Sequence, residues 1–302
     1  MARSYGAFWG CFVAGRFPFI EKATRMVFET LDLPLADIQH VTCCPEKSLV
    51  ANEDHEVWLL TAARNLAAAE EQDFTTIMSP CNGCYGTLKG VNEQLKTDPA
   101  LRDRVNERLA EVGRRWTGAL EVSHLVEVLH DHVSTQELKR HVQRPLEDIR
   151  VAVHAGCHYA RPSNALRSDS PMDPRRYDAI VEALGATSVP YSTKLLCCGG
   201  TLNTAGRPVE AADMTREKLV ELRRVVVDCL TTSCPACLMQ YDVAQLVMER
   251  EGDAYNVPCI SLPELVGVAL GLDYTEMGAD MHRIDAGPFF EKCLAAGQVT
   301  VP

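Results

Sequence analysis

The chain has 302 residues, an apolar share of 46%, a charged share of 24% and a formal net charge of −11. Length and balance fit a globular protein of two domains, at roughly 100–200 residues per domain. The acidic surplus excludes the clustered positive charge that nucleic acid or an anionic membrane surface requires, and no uncharged apolar stretch reaches the roughly 18 residues of a bilayer span.

In chain order, residues 5–10 read as a short buried strand ending at Cys11. Apolar residues then recur at helical spacing over 19–31 (Ile20, Ala23, Met26, Val27), with Pro18 at the start. Residues 38–42 form a second strand running into Cys43-Cys44-Pro45. Residues 52–69 are a long Ala- and Leu-rich helix, with Asn52 as N-cap and Glu53 and Asp54 in its first turn. A third strand over 74–78 leads to Ser79-Pro80-Cys81, and the helix after it carries Cys84. The charged stretch 98–115 is an added surface helix. His124, His130 and His132 fall on one further helix, with a polar surface as the expected setting.

The second half follows the same plan. Strand 151–154 ends at Gly156-Cys157, helix 177–184 closes at Gly185, and strand 188–191 leads to Cys197-Cys198. Amphipathic helix 209–224 precedes a β-branched strand over 225–230. Ser233-Cys234-Pro235 and a last helix to about residue 249 follow. Strand alternating with helix predicts parallel sheets with crossover helices. The expected fold is α/β with an internal duplication, two Rossmann-like parallel-sheet halves related by a pseudo-two-fold. The boundaries are 1–147, 148–272 and a Gly-rich C-terminal tail, 273–302.

Ten of the thirteen cysteines obey one pattern twice, a lone Cys, an adjacent pair and a CxxC. The first copy is Cys11, Cys43, Cys44, Cys81 and Cys84; the second is Cys157, Cys197, Cys198, Cys234 and Cys237. Each group follows a strand, and in parallel sheets ligand sites lie beyond the carboxyl ends of the strands. Five sulfurs per half should therefore converge on one sheet edge. An extracellular disulfide framework fits poorly with an odd cysteine count in a long chain. The uncharged run 4–15 imitates a secretory signal, but it contains Cys11 of the repeat. A reducing, cytoplasmic setting and metal ligation are expected. Thiolates favour zinc, copper(I) or iron–sulfur. One zinc takes four ligands, usually from knuckles close in sequence, whereas five thiolates with an adjacent pair suit a larger multinuclear cluster. There is no nucleotide-binding glycine motif and no ferredoxin-type cysteine run. Cys229, Cys259 and Cys293 lie outside the repeat, the first two as buried structural thiols.

The doubled C-x31–39-C-C-x35–36-C-x2-C pattern, together with Thr61-Ala62-Ala63-Arg64-Asn65, Val153-His154-Ala155-Gly156-Cys157-His158 and Asp213-Met214-Thr215-Arg216-Glu217-Lys218, resembles the heterodisulfide reductase B subunit over nearly the whole chain. The resemblance implies two non-cubane [4Fe-4S] clusters, one on each set of five cysteines. It implies reduction of a mixed disulfide, or its reverse, in a complex where an iron–sulfur C subunit is the donor and a flavin-bearing A subunit stands behind it. One departure stands out: the first motif reads Cys-Cys-Pro where the second reads Cys-Cys-Gly. Beside the ligands, Arg16, Arg161, Lys194, His154 and His158 are candidates to meet anionic groups of a substrate, and His158 to supply protons. Two other readings compete: an electron-transfer subunit whose clusters never meet a disulfide, and a zinc-bearing scaffold.

Overall fold

The computed structural model describes residues 3–296. Among them, eight strands form two separate four-stranded sheets, parallel throughout. The first holds β1 (Tyr5–Ala7), β2 (Leu35–Asp37), β3 (Thr76–Ser79) and β4 (Glu121–His124), in the order β2-β1-β3-β4. The second holds β5 (Arg150–His154), β6 (Thr187–Ser188), β7 (Cys229–Thr232) and β8 (Cys259–Ser261), in the order β6-β5-β7-β8. The two orders are the same once renumbered, so the duplication read from the cysteines extends to the backbone. Val151, Ala152, Val153 and Leu230 are buried, as strands of a parallel sheet are when helices cover both faces.

Several boundaries differ from expectation. The second strand is Leu35–Asp37, not 38–42, because Tyr5 pairs with Leu35 in the ladder, while the backbone at Thr42 is tied to the Asn65 side chain. The long helix is two, Lys47–Glu53 and His55–Glu70, each with its own cap: Glu46 accepts from Leu49 N at 3.0 Å and Asp54 from Val57 N at 3.0 Å. Asn52 is therefore inside the first helix. The stretch 225–230 splits between the end of helix Pro208–Val225 and β7, separated by Val226 at φ 54°. The helix Pro99–Ala110 buries Val105, Asn106 and Leu109, so it is a packed element rather than a purely surface one.

Two further corrections concern the histidine helix and the tail. His124 ends β4 and is fully buried, its Nδ1 accepting from Val126 N at 3.1 Å. Only His130 and His132 lie on the wide helical turn Val128–Ser134. The segment after Asp273 is not a loose tail: helix Gly287–Ala296 buries Phe289, Phe290 and Cys293. Its last six residues, 297–302, lie outside the described residues. The halves also interlock, helix Pro18–Thr30 of the first packing on Leu262–Ala269 of the second.

Candidate iron–sulfur site

Each cysteine group sits at a strand's carboxyl end: Cys11 after β1, Cys43-Cys44 after β2 and Cys81 after β3, matched by Cys157 after β5, Cys197-Cys198 after β6 and Cys234 after β7. These are the three adjacent strands on either side of each sheet's switch in order, where loops diverge and leave a crevice. The two crevices face each other. All ten sulfur-bearing residues line one cavity of about 720 Å³, counted to its open mouth, with Trp9, Phe12, Glu46, Asn82, His158 and Thr201 among the other walls.

The thiols touch in an ordered series. Cys11 meets Cys43, then Cys44, Cys84 and Cys81; Cys81 meets Cys234 across the halves; Cys237, Cys198, Cys197 and Cys157 complete it. From either end the order reads lone Cys, first and second of the pair, second and first of the CxxC. Such crowding forces thiols to share protons. Hydrogen bonds from Cys157 and Cys198 hold Cys197 down at about 2, and the same contact pushes Cys198 up to about 12. Cys44 and Cys234 are likewise held low by neighbouring thiols, while Cys81, Cys84 and Cys237 are pushed up. Ten sulfurs in series cannot all ionise beside one another unless cations sit among them.

The backbone leaves room for such cations. Gly10 and Gly156, which precede the lone cysteines, hold φ of 71° and 79°. A Cβ at Gly10 would stand 2.6 Å from Cys84 Sγ, and one at Gly156 would stand 2.0 Å from Asn82 Nδ2. Five sulfurs per half, more than a tetrahedral ion accepts, fit a multinuclear iron–sulfur group. Asn82, inside the first CxxC, ties the halves together by donating to Ala155 O at 2.8 Å.

The five expected polar residues are placed unequally. His158 lines the cavity; its Nε2 stands 3.2 Å from Ser48 Oγ and its Nδ1 3.8 Å from Glu46. His154 is buried behind the second set, within 4.8 Å of the Cys198 and Cys237 sulfurs, with both ring nitrogens unpartnered. Burial pushes its pKa down to about 3, so it is neutral. Arg16, Arg161 and Lys194 stand outside the cavity walls. Arg16 lines a separate groove beside Met239; Arg161 donates to Pro171 O at 2.8 Å; Lys194 is engaged by Asp178 at 2.5 Å and Pro174 O. Sequence reasoning passed over Glu46, Trp9, Asn82 and Thr201 as walls. Only Asn82 and Glu46 carried a signal, through their places inside the CxxC and just after Cys-Cys-Pro.

Comparison with known proteins agrees with this geometry. The cysteine-rich CCG domain model matches twice, over residues 5–89 and 151–242. The chain is 37% identical to the B subunit of the ferredoxin/F420H2-dependent CoB-CoM heterodisulfide reductase of Methanosarcina acetivorans, over 94% of this chain and 95% of that one. It is 32% identical to the 8-methylmenaquinol:fumarate reductase membrane anchor subunit of Wolinella succinogenes, over 95% and 99% of the two chains. In fold alone it is similar to a hypothetical protein from Helicobacter pylori, with TM-score 0.74 and 13% identity, over 94% of this chain and 52% of that one. Among the described residues no helix is long and apolar enough to cross a membrane. With two cysteine-rich domains on one duplicated fold, the chain is an iron–sulfur redox subunit of an oxidoreductase complex and belongs to the CCG-domain family, in its heterodisulfide reductase B-subunit group.

Proposed function

We propose that the chain is the catalytic subunit of a heterodisulfide reductase-like complex, reducing or reversibly forming a disulfide of two thiol carriers. The observation that carries this reading is the single cavity lined by both sets of five cysteines. Each set would hold one non-cubane [4Fe-4S] cluster: Cys11, Cys43, Cys44, Cys81 and Cys84 the first, Cys157, Cys197, Cys198, Cys234 and Cys237 the second. Iron–sulfur clusters supply electrons one at a time, whereas cleaving R–S–S–R′ to two thiols consumes two electrons and two protons. A site with two centres on one cavity meets that stoichiometry without releasing a thiyl radical.

The chain's own residues would bind and protonate. His158, between Ser48 and the Glu46 carboxylate on the cavity wall, would pass a proton to a product sulfur. Trp9 and Phe12 give the cavity apolar walls. Arg25, 5.0 Å above the Trp9 ring, and Asp37, accepting from Trp9 Nε1 at 2.8 Å, fix that indole. Electrons would arrive from two partners of a heterodisulfide reductase-like complex, its iron–sulfur C subunit and, behind that, its flavin-bearing A subunit. The complex would work in the cytoplasm.

Metal analysis and a thiol titration test the reading. About eight irons per chain are expected for two four-iron clusters; stoichiometric zinc with little iron sinks it. Adding thiols to the oxidised protein should produce a thiol-dependent paramagnetic signal. A fully loaded protein that gives none is an electron relay.

A further inference from the structure

The two halves anchor the backbone ahead of their paired cysteines with different chemistry. In the first half Asn65, buried on helix His55–Glu70, accepts from Thr42 N at 2.9 Å and donates to Thr42 O and Cys43 O at 3.3 and 3.2 Å. In the second half the matching helix Pro208–Val225 brings Lys218 to the same task. Its ammonium donates to Thr193 O and, at 3.2 Å, to Lys194 O, and it stands 5.0 Å from the Tyr191 ring centroid. Lys218 is fully buried, and these contacts are two carbonyls and a ring, none of which neutralises a positive charge.

A buried lysine so placed is unusual, because removing an ammonium from water is costly unless something compensates. Burial pushes its pKa down to about 7, and the sulfurs of Cys237, Cys198 and Cys197, together with Glu221, pull it back up. An iron–sulfur cluster held by five thiolates carries net negative charge, so it supplies the compensation that the neutral contacts lack. Reduction adds one more negative charge, and in a medium of low dielectric a nearby fixed cation favours the reduced form. The first half has a neutral amide at this place. Its Arg64, which touches Asn65 Oδ1 at 3.3 Å, is partly exposed, where solvent screens it.

We propose that Lys218 is a positioning residue of the second cysteine set whose charge raises the reduction potential of the cluster held there. This rests on the reading that each set holds a cluster. The test is a redox titration of the intact protein followed by electron paramagnetic resonance, with signals assigned through Cys44→Ser and Cys198→Ser, and with iron content measured alongside. In Lys218→Met and Lys218→Gln the second-site signal should need a potential lower by about 59 mV, a tenfold change in the one-electron ratio. The first-site signal should stay in place, and Lys218→Arg should restore the second. Equal movement of both signals, or none in variants that keep their iron, overturns the proposal. Loss of second-site iron in both neutral variants with iron kept in Lys218→Arg would make the residue structural alone and overturn it equally. Unmodified protein without iron would defeat the cluster reading itself.

Discussion

The two cysteine sets share a pattern and a fold position but differ in what stands around them. Cys11 and Cys43 of the first are exposed, whereas Cys157 and Cys197 of the second are only partly so. Three residues before the lone cysteine, the first set has buried Phe8; the second has His154, with both ring nitrogens unpartnered. Backbone donors also favour the second: Gly199 N and Gly200 N point to Cys197 Sγ and Cys198 Sγ at 3.4 and 3.3 Å. The glycine of Cys-Cys-Gly explains that asymmetry. Gly199 sits at φ 86°, and a Cβ there would meet Ala211 O at 2.8 Å and Ala211 Cα at 2.9 Å. Pro45, at the corresponding place in the first half, offers no N–H, and its carbonyl accepts from Thr87 Oγ1 at 3.3 Å instead. Duplication thus preserved the thiols while the surrounding groups diverged, leaving Cys11 and Cys43 of the first set open to water and their counterparts more enclosed.

The largest break in this comparison comes from removing a ligand. Cys198→Ser should lose about half the iron and all disulfide turnover, and Cys44→Ser should lose the complementary half. Iron and spectra measured on both variants would show whether the sets load independently. If Cys198→Ser keeps turnover, the chemistry resides in the first half or in a different protein of the complex.

Next comes the backbone. Gly199→Ala should cost roughly 1–3 kcal/mol from left-handed strain alone, more with the Ala211 contact, and should deplete second-site iron. Pro45→Ala, which neither clashes nor removes a donor, should leave iron content unchanged. Thermal melting with iron assay on the pair separates them; equal loss from both would remove the glycine argument.

A smaller effect distinguishes the capping boxes that close the two sheets. Glu127 caps β4's exit and pairs with Lys89 at 2.9 Å. Glu264 does the same after β8 and pairs with His282 at 2.8 Å, both side chains at most 1% exposed. Burial works against a charge on His282, but Glu264, with Asp242 beyond it, lifts its pKa above the ordinary value. A raised histidine stabilises fully below its unfolded pKa of about 6.5 and loses that contribution as pH rises through the folded value. The melting temperature should therefore fall by a few degrees between pH 6 and pH 9, and His282→Gln should flatten this part of the profile. The Lys89–Glu127 pair has no histidine in it and should contribute no matching slope, as Lys89→Met would check.

The sequence alone determined the ten thiols, their grouping by fives and the alternation of strand and helix. These are local or periodic signals: a CxxC, an adjacent pair and an apolar run keep their meaning without knowledge of distant partners. Tertiary structure decided what depends on groups far apart in the chain. It joined the two sets through Cys81 and Cys234 and tied Asn82 to Ala155. It drew Arg161 and Lys194 away to Pro171 and Asp178. It also buried Lys218, which an amphipathic helix pattern would leave in water, beneath carbonyls more than twenty residues distant. Spacing records which side chains a strand end presents. Whether a charge stands in water or beside a metal site is set by dielectric and by packing between elements, and those exist only once the two halves have closed on each other.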